Sequence, residues 1–209
     1  MICLALDTTG PACSAALVDA ANVLGQSSVH IGRGHAEHLA PQVKALLSGV
    51  GISPKDISRI SVNTGPGSFT GLRVALALAK GMALPANIPV IGISGLQVWA
   101  AMADPARERR ILSIADVRRG EMFWQTFERG QAVGAPKLGS IEQAKALKCD
   151  VAVGNGAKLL GFDDNPRIDP CVLGWLGLGL TPADYPPKPL YHRAPDAKLP
   201  GGITPPKLS

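Results

Sequence analysis

The chain has 209 residues, 46% of them hydrophobic and 18% charged, with a formal net charge of +5 and a pI near 9.2. That is enough chain for one large domain or two small ones around a buried core, and the longest uncharged apolar run, residues 171–180, falls short of the ~20 needed to cross a bilayer. Four cysteines show neither CxxC spacing nor the density of a disulfide framework, and nine aromatics offer few stacking platforms, so the positive charge alone is weak ground for a nucleic-acid partner.

The N-terminus, MICLALDTTG, has no basic segment ahead of its apolar run and meets Asp7 within that run, unlike a secretory signal. A cytoplasmic protein without a membrane association is expected. Residues 2–7, 13–19 and 22–29 read as three successive antiparallel strands. From His35 to Val50 the apolar residues follow helical spacing and Gly51 stands ready to end the helix, with Pro41 either kinking it or marking its first turn. A strand then ends near Thr64, a helix runs over 70–84, a strand over 88–94, and Ser94 caps a further helix through Met102. Residues 110–116 form an apolar strand ending at Asp116, followed by a turn and an aromatic-rich strand. SIEQAKALK reads as a short helix, CDVAVGNG as a strand entering a glycine turn, and CVLGWLGLGL as a short helix. Prolines crowd residues 182–209, which predicts an extended tail. The domain boundary is placed in ADPARERR, which divides the chain into residues 1–103, a smaller unit 104–195 and a tail 196–209.

Strand, Asp, turn, strand occurs once in each half. This is the skeleton of actin-like ATPases and of sugar and acetate kinases, where the turn after each Asp wraps phosphate with backbone N–H groups. An α/β class follows from the mixed order of strands and helices.

The segment TGPGSFTGLRVALALAKGMAL, residues 64–84, carries the most information. Its glycines at a strand-to-helix junction suit a phosphate cradle, but it lacks the Lys and Ser/Thr of a P-loop, and such glycines also serve simple turns. The helix that follows is apolar nearly all round, with Arg73 and Lys80 on one narrow stripe. Such a helix must be covered on two sides. It is either a central core helix or half of an interface with another protein.

LALDTTGPACSAALVD, GHAEHLAPQVKALL, NTGPGSFTGLRVALALAKGMAL and ADVRRGEMFWQTF, in this order, resemble the TsaB (YeaZ) family, and PLYHRAP at 189–195 is similar to that family's C-terminal signature. The resemblance covers residues 1–130. It implies an actin-like ATPase (ribonuclease H-like) fold of two related domains, the second reduced, without catalysis of its own. It further implies pairing with a TsaD-like protein, which transfers threonylcarbamoyl to the adenosine next to the anticodon of tRNA, with a TsaE-like protein as a further ATP-dependent component and tRNA reached through the complex. The family's contact surface corresponds to residues 35–50 and 69–84. The residues expected there are His35, His38, Leu39, Val43, Phe69, Arg73, Leu76, Ala79 and Lys80. The same apolar surface suits a homodimer when the partner is absent.

His35 and His38 are three apart where the catalytic relative has HxxxH, and no acidic cluster near the C-terminus completes a ligand set, so no metal site is expected. Asp7 and Asp116 would face each other across a cleft and could serve an independent ATP-dependent phosphotransferase. However, Val117, Arg118 and Arg119 stand where small residues would admit phosphate, and Trp124 stands where the catalytic relative has lysine. Weak nucleotide contact is assigned to Asp7, Thr8, Thr9, Asp116, Arg118 and Arg119, with no cofactor of the chain's own and ATP or ADP bound only in the complex. VGNGAKLLG reads as a worn adenosine site or a plain chain reversal. No GxSxG elbow and no Ser or Cys with a recognisable base supports nucleophilic catalysis, and a metallopeptidase of the glycopeptidase type stands as a third alternative.

Overall fold

Every position of ICLALD after Ile2 is buried, because its strand has helices on both faces. The computed structural model describes residues 1–163 and 167–191, so the expected tail 196–209 and the end of PLYHRAP lie outside the described residues. Strands β1 (Ile2–Asp7), β2 (Ala12–Val18), β3 (Val23–His30), β4 (Ile57–Asn63) and β5 (Val90–Ile93) form one sheet in the order β3-β2-β1-β4-β5. β1, β2 and β3 pair antiparallel, while β4 and β5 continue parallel to β1. Helices α1 (His35–Gly49) and α2 (Phe69–Ala83) cover one face, where Leu4, Leu6 and Val62 meet Leu39, Val43, Leu76 and Ala79. Pro41 lies inside α1, not at its start.

The second sheet repeats the pattern. β6 (Arg110–Asp116), β7 (Glu121–Glu128), β8 (Gln131–Ser140) and β9 (Val151–Val153) run β8-β7-β6-β9, with β6–β7–β8 antiparallel and β9 parallel to β6. β8 escaped the sequence reading because most of it is exposed on both faces and shows no apolar alternation. Its signal was the repeat itself: a third strand follows the second in each half. Where the outer face of the first sheet carries two helices of 15 residues, that of the second carries, among the described residues, α4 (Ile141–Lys145) and a single turn at 157–160.

Between the sheets sit α3 (Gly95–Ala103) and α5 (Pro170–Gly179). One apolar cluster joins Ala5 and Ile93 of the first sheet to Ile111 and Phe123 of the second through Trp99 and Leu173. Although α5 comes late in the chain, it packs on β1, β2 and β4. Arg59 of β4 fixes its end, donating from Nη1 to the carbonyls of Gly177, Leu178 and Leu180 at 2.8, 3.2 and 2.7 Å. Gly177 lets it approach, since a Cβ there would stand 1.7 Å from Ser61 Oγ. Residues 185–191 then close the β5 edge through Gly92 N–H to Tyr185 O (2.9 Å) and Leu190 N–H to Thr64 O (2.8 Å).

By length and composition Phe69–Ala86 could cross a membrane. In the fold its inner stripe, from Gly71 to Ala83, is buried against the first sheet, and its other side stays open.

Candidate functional site: a helical groove beside a cleft

Asp7 ends β1 with its carboxylate buried, and a single oxygen, Oδ1, accepts three hydrogen bonds: from Thr9 N–H at 3.0 Å, Thr9 Oγ1–H at 2.8 Å and Asn63 Nδ2 at 2.9 Å. Burial pushes the Asp7 carboxyl above its ordinary range, and the Thr9 and Asn63 bonds, with a small contribution from His35, only partly oppose this. Asn63 is fully buried and works in both directions, for it also donates to Thr9 Oγ1 (3.0 Å) and accepts Gly65 N–H (2.9 Å). The second half repeats the device. Asp116 Oδ1 accepts the N–H of Arg118 at 2.8 Å, and Asn155, just past β9, accepts the N–H of Asp116 at 2.9 Å. Asn63 and Asn155 were missed in the sequence, where an Asn at the end of, or just past, the fourth strand of each half was the available sign.

The glycine-rich loop is drawn onto the turn after Asp7. Ser68 N–H donates to Thr9 O at 2.8 Å and Thr8 Oγ1–H to Gly71 O at 2.6 Å. A Cβ on Gly67 would stand 2.6 Å from Thr9 O, and one on Gly71 only 1.8 Å from Thr8 O. These glycines are therefore accounted for by close approach of chain to chain. Ser68 caps α2 by accepting Gly71 N–H. The later glycine turn has the same explanation: a Cβ on Gly154 would meet Ile114 O at 2.5 Å and the Trp99 ring at 2.7 Å.

Two concave surfaces adjoin this network. One is a cleft of about 690 Å³ between the halves, lined by Thr9 and Gly10 on one side and by Asp116, Val117 and Arg118 on the other. Arg118 and Arg119 sit in the turn at φ 69° and 58°, the left-handed region that side chains rarely adopt. The other is an open groove of about 480 Å³ between α1 and α2, lined by Ala36, Ala40, Thr70, Val74, Ala77 and Leu78 and ending at Phe69 and Arg73. Phe69 lines both.

The residues expected on the contact surface separate sharply. Phe69, Arg73, Lys80 and His38 are exposed and His35 is half-buried, its Nε2 3.0 Å from Gly10 O. Leu39, Val43, Leu76 and Ala79 are no more than 5% exposed and belong to the chain's own core, so they cannot meet a partner. The helix is apolar on both sides, and the side carrying Leu76 and Ala79 is the one the sheet takes. The open side carries Val74, Ala77 and Leu78 instead, with Leu84 at the helix end 82% exposed. Tyr191, missed in the sequence, joins this edge: its ring lies 5.3 Å from that of Phe69, and its hydroxyl accepts Arg73 Nε–H at 3.3 Å.

Of the nucleotide-contact residues, Thr9, Asp116 and Arg118 line the cleft, while Asp7 and Thr8 lie buried beneath it. Among the described residues no three His, Cys, Asp or Glu side chains converge as metal ligands would. Burial pushes the thiols of Cys3, Cys13, Cys149 and Cys171 upward, the last to about 11, which leaves them protonated and poorly nucleophilic.

Two sheets of one design facing each other across a cleft, the second with shortened helices, define an actin-like ATPase fold of two related domains. A family model described as TsaD, tRNA N6-adenosine threonylcarbamoyltransferase, matches residues 29–156. The tRNA threonylcarbamoyladenosine biosynthesis protein TsaB of Buchnera aphidicola is 30% identical over 179 residues, covering 80% of this chain and 85% of that protein. TsaB of Escherichia coli is 36% identical over 129 residues, 61% of this chain and 55% of that protein, so the chain spans about half of its length. Among solved structures, YeaZ from Pseudomonas aeruginosa superposes with a TM-score of 0.73 at 25% identity, over 91% of this chain and all of that one. The chain belongs to the TsaB (YeaZ) family, whose curated members are named for tRNA threonylcarbamoyladenosine biosynthesis.

Proposed function

We propose that this chain is a non-catalytic scaffold subunit that binds a TsaD-like protein through the α1–α2 groove and is required for threonylcarbamoylation of the adenosine next to the anticodon in tRNA. It works in the cytoplasm, with a TsaE-like protein and tRNA joining through the complex and ATP or ADP bound only there. The observation that carries the reading is the groove. Ala36, Ala40, Val74, Ala77 and Leu78 form an apolar strip between two helices, its small side chains letting another helix approach closely, and no other element of the described chain covers it. The division near residue 103 separates the docking helices and their sheet from the shortened sheet, while α5 and residues 185–191, beyond it, pack back on the first sheet.

The cleft supports the absence of independent catalysis. Asp7 is spent on holding Thr9 and Asn63, and Asp116 on holding its own turn. The second reading, an ATP-dependent phosphotransferase, rests on the 690 Å³ cleft with an Asp beneath or beside each wall. Tight magnesium-dependent ATP binding by the isolated chain, measured by isothermal titration, would favour it.

The test is Ala77→Glu, at an exposed groove position. A Glu at 77 fills a strip of small side chains and must be desolvated on docking even if Arg73 or Lys80 on the same row pairs with it, which costs several kcal/mol, so the variant should fold, fail to co-purify with the TsaD-like protein, and fail to support tRNA modification in a reconstituted system. Normal assembly would refute the docking reading. Leu76→Glu is not a substitute, because that side chain is in the core and its loss would unfold the chain.

A further inference from the structure

Among the described residues three buried side-chain polar atoms have no hydrogen-bond partner: Gln42 Oε1, Ser113 Oγ and Trp99 Nε1. Only the last belongs to a residue that lines the cleft between the halves. Trp99 is 6% exposed. A Cβ on Gly154 would meet its Cε3 and Cζ3, which lie across the indole from Nε1, so the contact that fixes the ring leaves the N–H edge clear. An indole N–H can only donate, and buried donors are nearly always paired.

Further donors border the same cleft. Both long helices of the first sheet begin there: Gly32 and His35 at the start of α1, and Ser68 and Phe69 at the start of α2, line it. Gly34 is the N-cap of α1 and no side chain caps that helix, so the N–H groups of His35 and Ala36 meet no acceptor among the described residues. Two helix N-termini at one cavity favour negative charge. Asp116, the carboxylate that lines the cleft, stands on the other wall with its Oδ1 engaged by Arg118 N–H. Meanwhile the turn N–H groups that would wrap a row of phosphates in an actin-like ATPase are spent. Thr9 N–H goes to Asp7, Ser68 N–H to Thr9 O, and Arg118 N–H to Asp116.

We infer that this wall of the cleft binds a single phosphate group, as inorganic phosphate or as the phosphate of a small ester, between the N-termini of α1 and α2 and the Trp99 indole, and that it does not hold the polyphosphate of a nucleotide. Donors supplied by three separate elements suit a tetrahedral oxyanion better than a planar carboxylate. The cleft, at about 690 Å³, leaves room for the body of an ester. The inference stands apart from the docking reading, whose groove lies on the other side of Phe69.

The experiment follows the indole N–H resonances of the full chain by proton–nitrogen NMR at constant ionic strength, as inorganic phosphate, glycerol phosphate, acetate or ADP with magnesium is added. Trp124 and Trp175 do not line the cleft, and Trp124→Phe and Trp175→Phe assign their signals. Phosphate or its ester should move the Trp99 resonance saturably and leave the other two in place, and whichever saturates at the lower concentration identifies the source. Acetate should need about tenfold more. Trp99→Phe keeps the ring and removes the donor, so isothermal titration should show phosphate binding weakened about tenfold. If that variant melts early, the resonance of the native chain decides alone. Ala77→Glu, in the groove, should bind phosphate as the native chain does, which separates a failure of docking from a failure here. A Trp99 resonance unmoved by both phosphate and its ester would overturn the inference. So would acetate acting as well as phosphate, or ADP saturating at a tenth of the phosphate concentration.

Discussion

Two glycines ten residues apart in α2 should respond in opposite directions to the same substitution. Gly81 is exposed and has nothing within 4 Å of the Cβ an alanine would add. There, Ala stiffens the unfolded chain and favours the helix, by about 0.5–1 kcal/mol. At Gly71 the same intrinsic gain meets an obstacle, because the Cβ would stand 1.8 Å from the backbone oxygen of Thr8, a distance no real Cβ tolerates. The obstacle is backbone and cannot swing aside, so the first turn of α2 must retreat by more than an ångström. That breaks the Thr8–Gly71 and Ser68–Thr9 hydrogen bonds, each worth about 1 kcal/mol, and exposes buried groups to desolvation without a partner. The net loss is about 2–4 kcal/mol. At this chain length each kcal/mol moves Tm by about 2–4 °C, so thermal melts should show Gly81→Ala up by about 1–4 °C and Gly71→Ala down by about 4–16 °C. A neutral or stabilising Gly71→Ala would refute the close approach of loop and turn and would reopen the loop as a ligand cradle.

The buried Asp7 should leave a signature in pH. Because burial raises its folded-state pKa above the unfolded value of 3.8, the native state holds the proton more tightly, and stability falls as pH rises from 3.8 through the folded-state value, then levels. Asp7→Asn keeps an acceptor for Thr9 and Asn63 but removes the proton, so this contribution to the slope should vanish and the neutral-pH Tm should be no lower than native, as melts of both proteins across the acid range would show. Arg59→Ala strips three carbonyls at the end of α5 of their charged donor, an expected loss of about 2–3 kcal/mol, or about 4–12 °C in Tm. An unchanged melt would mean that α5 is held without it.

The double strand–Asp–turn pattern was open to reading because it is local: Asp7 and Asp116 each end an apolar strand and each cap their own turn through the N–H two residues on. Which side of α2 faces inward was not. Leu76 and Leu78, or Ala77 and Ala79, are interchangeable to a periodicity argument. The choice is made by the tether of Gly71 to Thr8, which joins residues 63 positions apart. The same holds for α5, whose place on the first sheet depends on Arg59 reaching residues more than a hundred positions away, and for Tyr191, whose partners lie on α2. Glycines that look like a phosphate cradle and glycines that admit a neighbouring backbone leave the same letters in a sequence. Only the distances from Gly67 and Gly71 to Thr9 and Thr8 separate the two.

The most direct measurement places a photocrosslinking side chain at position 81, on the open side of α2, or at position 21, beside Trp175 on the opposite side of the first sheet. Mixed with the TsaD-like protein and irradiated, the chain should crosslink to it from position 81 and not from position 21. Crosslinking from position 21 alone would contradict a docking face on α1 and α2.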